Sequence, residues 1–182
     1  LNAPWKTLSY ALSQVVGPAT IFIKTGVYYE VLPMVVPADV ALVGDELRST
    51  VIKPQSGYET NDMFYVRNGT GIRNMTLMGL SGTLGSYNQY GTQRPTAGAY
   101  VSLDPGNGVN DSAAWITTKS PYVQNVTTFG TGCIGLKIDG ALHGGGNKSI
   151  VANDYTTLCS DGIGVWCTGC LLYTSDAADD TP

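Results

Sequence analysis

Val123-Gln124-Asn125-Val126-Thr127-Thr128-Phe129 has two degenerate counterparts elsewhere in the chain. They are Ile72-Arg73-Asn74-Met75-Thr76-Leu77 and Val151-Ala152-Asn153-Asp154-Tyr155-Thr156-Thr157-Leu158. Each copy places an asparagine a few residues before a threonine and an apolar residue, in a run of residues that favour β-strands. Asn125 and Asn153 are 28 residues apart, and stacked β-solenoids use coils of about 20–30 residues. The repeat therefore predicts stacked strands, with Asn74 and Asn125 bonding along the turns.

Short β-rich runs separated by Gly, Asn, Asp and Pro continue on both sides of these copies. The chain has 23 glycines in 182 residues, a composition that favours an all-β fold of many short strands over βαβ packing. Ile21 and Val40 are 19 residues apart, and Val40 and Met63 are 23 apart. We therefore expect these three residues to begin strands in successive coils. The alternative is a sandwich, whose strands follow one another at about 8–12 residues.

One helix is predicted, over residues 4–16. Trp5, Leu8, Leu12 and Val15 form one apolar face at helical spacing. Gly17-Pro18 ends the helix. Because so short a helix is not stable alone, it must cover another apolar surface.

The last residues, 170–182, resemble the conceptual translation of a sequencing adapter, from Cys170 to Asp179. We expect this tail to have no packed role. Three aspartates lie in it, so the body keeps 11 of the 14 acidic residues against 10 basic ones, a net charge of −1 instead of −4. No basic stripe is present, which argues against nucleic-acid binding. No apolar run approaches the roughly 18 residues of a membrane span, and no membrane contact is predicted.

Three cysteines remain outside this tail: Cys133, Cys159 and Cys167. An odd number without metal-type spacing supports neither a disulfide framework nor a zinc site. Buried thiols that act as small hydrophobic side chains are the better interpretation.

Two segments resemble the opening coils of pectin-lyase-like domains. The first is Thr20-Ile21-Phe22-Ile23-Lys24-Thr25-Gly26-Val27-Tyr28-Tyr29-Glu30, an apolar strand followed by Gly, an aromatic residue and Glu. The second is Val36-Pro37-Ala38-Asp39-Val40-Ala41-Leu42-Val43-Gly44-Asp45, followed by Ser49-Thr50-Val51-Ile52. The resemblance implies a right-handed parallel β-helix over residues 19–169, with residues 1–18 as a helical cap on its N-terminal end.

Further along, the chain resembles virion structural proteins of tailed phages, especially marine cyanophage-type ones. The residues that carry this resemblance are Lys119–Thr127, Gly135–Ala141 and Ser160–Trp166. It implies a tail fibre, tailspike or baseplate role, a virion or extracellular location, other virion proteins as partners, and a homotrimer.

Residues 80–98 and 104–120 interrupt the rhythm of short strands and read as loop insertions, which in repeat folds gather on one face, often the binding face. Tyr87, Tyr90 and Trp115 lie in them, with Tyr100 beside them. Such aromatic residues can stack on sugar rings of a host surface polysaccharide. Alternatively, they anchor the insertions to the body of the protein.

Residues able to carry out chemistry are sparse. Asp154 and Asp161 are the best candidate catalytic pair, but aspartate in turn-like sequence commonly bonds its own backbone. His143 is the only histidine and sits in a glycine run, which reads as a turn. Lys137 and Arg73 could each act as a lone base, although an outward-facing charge on a strand is ordinary. We predict no cofactor and no metal site.

Two functions stay open on the sequence alone. The first is a structural, receptor-interacting virion appendage without chemistry of its own. The second is a polysaccharide lyase or hydrolase of the pectin-lyase-like kind, which would need several titratable groups converging on one groove.

Overall fold

The computed structural model of the protein describes residues 4–66, 69–82, 97–102, 121–139 and 151–168, with the backbone alone described at 97–102, 138, 139, 151 and 166–168. This part of the chain contains one short helix and twelve strands. In chain order they are α1 (Leu8–Gln14), β1 (Ala19–Ile23), β2 (Gly26–Glu30), β3 (Met34–Val35), β4 (Val40–Gly44), β5 (Thr50–Pro54), β6 (Phe64–Val66), β7 (Gly71–Ser81), β8 (Ala97–Ser102), β9 (Tyr122–Thr131), β10 (Ile134–Asp139), β11 (Val151–Ser160) and β12 (Ile163–Thr168). The all-β prediction with one short helix is confirmed. No helix in the described ranges is long and apolar enough to cross a membrane.

The strands form two sheets, and every pairing between described strands is parallel. Sheet A has the order β1-β4-β7-β5-β2, with β9 beside β7 and β11 beside β9. Sheet B has the order β12-β10-β8-β6-β3. An antiparallel sandwich is therefore the wrong alternative for this chain.

The chain alternates between the two sheets. One passage through sheet A followed by one strand of sheet B is called a circuit here. The five described circuits are β1 to β3, β4 to β6, β7 with β8, β9 with β10, and β11 with β12. Each circuit pairs with the circuit before it in both sheets, so residues far apart in sequence occupy matching positions.

The sheet-A passage changes form at the third circuit. The first two circuits use two strands, whereas β7 pairs with β4 through its first residues and with β5 through its middle. Asn74 lies between these halves with φ of 58°, and Asn125 and Asp154 take the same left-handed conformation at φ of 50° and 52°. Asparagine and aspartate tolerate this conformation better than other residues with a side chain. They allow one continuous strand to bend where the earlier circuits have a loop.

These kinks stack on one another. The paired residues on either side show that Asn74, Asn125 and Asp154 share one position in the third, fourth and fifth circuits. Asn125 Nδ2 donates a hydrogen bond to Asn74 Oδ1 at 3.0 Å, which confirms the predicted bonding along the turns. In the fifth circuit the position belongs to Asp154 and not to Asn153, because Asn153 pairs with Gln124.

The core lies between the two sheets. Inward side chains at equivalent positions of successive circuits stack on one another, as do Leu42, Ile72 and Val123. Burial of each such side chain stabilises the fold by roughly 1.5–3 kcal/mol. Side chains with at most 1% exposure include Leu42, Ile52, Phe64, Val66, Ile72, Leu77, Val123, Val126 and Leu136.

Of the three residues in the spacing argument, only Val40 begins a strand, because Ile21 lies in the middle of β1. Ile21 pairs with Leu42, and Leu42 pairs with Ile72, so these residues share one position in successive circuits. Val40 begins β4 as predicted, but Met63 precedes β6 and lies at the entry to sheet B. Both sheets are apolar on the inward face, so apolar residues recur twice in each circuit and spacing alone cannot assign them to a sheet.

The helix is shorter than the predicted 4–16. Thr7 is its N-cap, accepting a hydrogen bond from the Tyr10 N–H, and Trp5 precedes it with 49% of its surface exposed. The buried face consists of Leu8, Ala11 and Leu12. Its contacts are with β2 and β3, so it covers the first circuit.

The predicted insertions are narrower than expected. β7 runs to Ser81 and β8 begins at Ala97, so both ends of the 80–98 insertion belong to strands. Residues 83–96 and 103–120, and the tail at 170–182, lie outside the described residues.

Candidate functional site

Five residues share one register position along sheet B, one from each circuit. Val35 pairs with Tyr65, and Tyr65 pairs with Tyr100. Lys137 pairs with Tyr100 on one side and with Trp166 on the other. We call these five residues the sheet-B column: Val35, Tyr65, Tyr100, Lys137 and Trp166.

The three column members whose side chains are described, Val35, Tyr65 and Lys137, lie on the outer face of sheet B. Successive side chains of a strand point to opposite faces. Phe64 and Val66 on either side of Tyr65 are fully buried, and Leu136 before Lys137 is 1% exposed. Tyr65 and Lys137 therefore point away from the core, as does Val35 at 39% exposure. Tyr100 and Trp166 are placed by their backbone register. Adjacent strands are about 4.8 Å apart, so the column repeats at that interval.

Lys137 is the unusual member of the column. It is 5% exposed, and it is the one buried lysine among those whose side chains are described, since Lys6, Lys24 and Lys53 are exposed or half-buried. Lysine is almost never buried without a partner, and Lys137 does engage in an interaction. A shielded ammonium group thus lies between the register positions of Tyr100 and Trp166.

The strands of this column border segments that lie outside the described residues. β8 carries Tyr100 between residues 83–96 and 103–120, and β10 carries Lys137 just before residues 140–150. The predicted glycan-binding residues Tyr87, Tyr90 and Trp115 fall in the first two segments, outside the described residues, as does His143. Their roles stay predictions.

The structure separates the two predicted aspartates. Asp154 lies at the kink within β11 in sheet A, stacked on Asn125. Asp161 lies in the turn between β11 and β12, at the position that Gly132 takes one circuit earlier. Both are exposed and have φ of 52°. The left-handed conformation accounts for aspartate at both places, at a kink within a strand for Asp154 and in a turn for Asp161.

A shallow depression lies between α1 and β3, with a volume of about 220 Å³. Ligand pockets usually hold about 300–1,000 Å³, so this one is small. Its lining includes Ser9, Leu12, Pro33 and Val35. In the described part of the chain, no group of three or more His, Cys, Asp or Glu side chains could hold a metal ion.

The column was only partly visible in the sequence. Tyr100 and Lys137 were noticed separately, and Tyr65 and Trp166 were missed. The missed signal is local: four of the five sheet-B strands place an aromatic residue or lysine between two smaller or apolar residues, whereas β3 has Val35 there. The four examples are Phe64-Tyr65-Val66, Ala99-Tyr100-Val101, Leu136-Lys137-Ile138 and Val165-Trp166-Cys167.

Comparison with known proteins gives one family. The model of the family described as "Protein of unknown function (DUF1565)" matches residues 1–169, and this family is often associated with right-handed β-helix proteins. Neither the curated proteins nor the solved structures contain a significant match. Because the match covers most of the 182 residues, the chain belongs to the DUF1565 family.

Proposed function

We propose that the five circuits form a right-handed parallel β-helix whose outer sheet-B face binds carbohydrate. Parallel pairing of each circuit with the one before it supports the β-helix. The association of the DUF1565 family with that fold also supports it. In biological terms, the chain is a structural, receptor-interacting part of a phage tail fibre, tailspike or baseplate protein. The resemblance of residues 119–166 to virion proteins supports this role.

The observation that carries the carbohydrate proposal is the sheet-B column. Three of its five positions are aromatic, and Lys137 stands between two of them. The apolar faces of tyrosine and tryptophan stack on the C–H faces of sugars, while their polar groups still reach hydrogen-bond partners. A repeat of about 4.8 Å between strands is close to the length of one pyranose ring, so successive rings of an extended glycan would meet successive positions.

A non-enzymatic role is favoured by the positions of the carboxylates. Glycosidases use a pair of carboxyl groups flanking one bond, whereas Asp154 lies at the kink within β11 and Asp161 lies in the turn after that strand. The second candidate function is a polysaccharide lyase, favoured by the burial of Lys137. Lysine is one of the residue types that serve as general bases in enzymes.

Binding is tested first. Trp166→Ala and Tyr65→Ala should each weaken affinity for host surface polysaccharide about tenfold, corresponding to ~1.4 kcal/mol, in affinity electrophoresis or calorimetry. Tyr29→Ala is the matched control, because Tyr29 is an exposed tyrosine on sheet A at 57% exposure. Equal affinity loss in all three variants, or none in the sheet-B variants, would contradict the column as the binding face.

Catalysis is tested separately with unsaturated-product and reducing-end assays on pectin, alginate and host polysaccharide. We expect no turnover. Turnover abolished by Asp154→Ala or Asp161→Ala would overturn the non-enzymatic proposal in favour of the two carboxylates. Turnover abolished by Lys137→Gln would instead support the lyase.

A further inference from the structure

Two cysteines from successive circuits meet at one edge of the core. Cys133 lies in the turn between β9 and β10, and Cys159 lies near the end of β11. Their Sγ atoms are 3.5 Å apart, and both thiols are free. Cys133 is fully buried, whereas Cys159 is half-buried, so Cys159 is the more accessible residue of the pair.

The backbone around this pair is fixed by hydrogen bonds between the two circuits. Gly132 N–H donates to Ser160 O at 2.7 Å, and Ile163 N–H donates to Cys133 O at 3.0 Å. The first bond joins the residues next to the two cysteines, and the second involves Cys133 itself. The turn that carries Cys133 therefore cannot move away from the strand end that carries Cys159 without breaking them.

A glycine makes room for the pair. Cys159 pairs in register with Gly130, and a Cβ atom at Gly130 would lie 2.3 Å from Cys133 Sγ. Any side chain there would push the sulfur of Cys133 out of its place. The close approach of the two sulfurs is thus built into the packing of these two circuits.

We propose that Cys133 and Cys159 form a disulfide by exchange with a low-molecular-weight disulfide such as oxidised glutathione, and that this bond ties the fourth circuit to the fifth. A disulfide needs an S–S distance of about 2.05 Å. Starting from 3.5 Å, rotation of the two side chains brings the sulfurs together while the hydrogen-bonded backbone stays in place. This inference does not depend on carbohydrate binding.

The exchange proceeds in two steps. Cys159 attacks first: its thiolate forms a bond to one sulfur of the small disulfide, whose S–S bond breaks, releasing one thiolate that takes up a proton. Cys133 then loses its proton to solvent and attacks the Cys159 sulfur, breaking the mixed disulfide and releasing the second small thiol. Overall, two protein thiols are oxidised and one small disulfide is reduced to two thiols.

The electrostatics agree with this order. The Cys133 S–H donates to Cys159 Sγ, and this bond lowers the pKa of Cys159. The same bond, together with burial, raises the pKa of Cys133. The nearby Tyr155 hydroxyl does not take up the proton, since it donates to Gly135 O at 2.7 Å and burial raises the pKa of Tyr155.

The test uses the full chain with Cys167→Ser and Cys170→Ser, which leaves only the pair. After incubation with oxidised glutathione and then denaturation, we expect both thiols to resist alkylation, whereas both react in the denatured reduced protein. Intact mass should fall by two hydrogen atoms, and a proteolytic peptide should join Cys133 to Cys159. The melting temperature should rise by several degrees relative to the reduced protein.

The single variants separate the alternatives. Cys133→Ser should trap glutathione on Cys159 as a stable mixed disulfide, whereas Cys159→Ser should gain no adduct while folded. Circular dichroism confirms that each variant keeps its β-structure. If both thiols of the pair are still alkylated on denaturation after oxidation, or if the pair variant stops at a glutathione adduct on Cys159, the proposal is wrong.

Discussion

The two ends of the described stack differ in how they protect the core. At the start, α1 covers the first circuit, and Ile23, Met34 and Leu12 are all at most 6% exposed. In the fifth circuit, the inward positions of β11 at Tyr155 and Cys159 are only half-buried. In this fold a side chain is fully buried only when a neighbour lies on both of its sides along the stack. The helix supplies the missing neighbour at one end.

The largest expected effect on stability comes from one inward register position of sheet B, which is buried in one circuit and exposed in the next. Leu136 and Val165 occupy the same register position in the fourth and fifth circuits, yet they are 1% and 51% exposed. Leu136→Ala should therefore destabilise the protein by about 2–5 kcal/mol, the usual cost of a cavity in a core. Val165→Ala should cost less than about 1 kcal/mol, because half of that side chain is already in water. Urea denaturation measures both, and similar costs would show that burial does not follow position in the stack.

The next effect tests how the helix is held at the covered end. Glu30 at the end of β2 is 1% exposed. Its carboxylate accepts hydrogen bonds from Leu8 N–H at 2.6 Å, Ser9 N–H at 2.9 Å and the Ser9 hydroxyl. A carboxylate at a helix N-terminus satisfies amide groups that have no partner within the helix.

Glu30→Ala should therefore cost about 2–3 kcal/mol, in the range of hydrogen bonds to a charged group, and should loosen α1 in hydrogen exchange. Glu46→Ala is the control, since Glu46 also binds backbone amides, those of Arg48 and Ser49, but is exposed. Its removal should leave the melting temperature almost unchanged. A Glu30 variant as stable as the Glu46 variant would contradict the claim that Glu30 holds α1 on the first circuit.

The smallest expected effect concerns the fifth circuit, and there the substitution should stabilise the protein. Asp154 sits where the stacked amides would continue, but a carboxylate has no donor for Asn125 Oδ1. Asp154→Asn supplies one, and should stabilise the protein by about 0.5–1.5 kcal/mol, the net value of a typical hydrogen bond. Asp161 has a similar φ but lies in the turn after β11. The substitution Asp161→Asn should therefore change stability little. Thermal melts of both variants measure the difference, and an unchanged or lower melting temperature for Asp154→Asn would contradict it.

Much of the fold could be predicted because it depends on local patterns. Short β-rich runs identify most strands, and Asn74 and Asn125 mark a bend that only a few residue types accept without strain. The helix start could not be placed, since it depends on Glu30, which is 22 residues from Leu8 in sequence. The position of Met63 could not be assigned, because apolar residues face the core from both sheets.

The candidate site was harder to foresee for a related reason. Its members are single residues in separate strands, and nothing in the spacing of Tyr65, Tyr100 and Lys137 reveals that they are neighbours. The pairing of Cys133 with Cys159 was likewise hidden. An odd cysteine count argued against a disulfide, whereas register, not count, decides which sulfurs meet.

In the sheet-B column, the distance between neighbouring residues in space does not depend on their separation in sequence. Tyr65 and Tyr100 are 35 residues apart, Tyr100 and Lys137 are 37 apart, and Lys137 and Trp166 are 29 apart. Hydrogen bonding between strands nevertheless sets every interval at about 4.8 Å. Loops between circuits can thus gain or lose residues without changing the interval, since surface loops tolerate insertions at little thermodynamic cost. Chains of different length can therefore present the same row of side chains, and a single substitution changes one position of that row without moving the others.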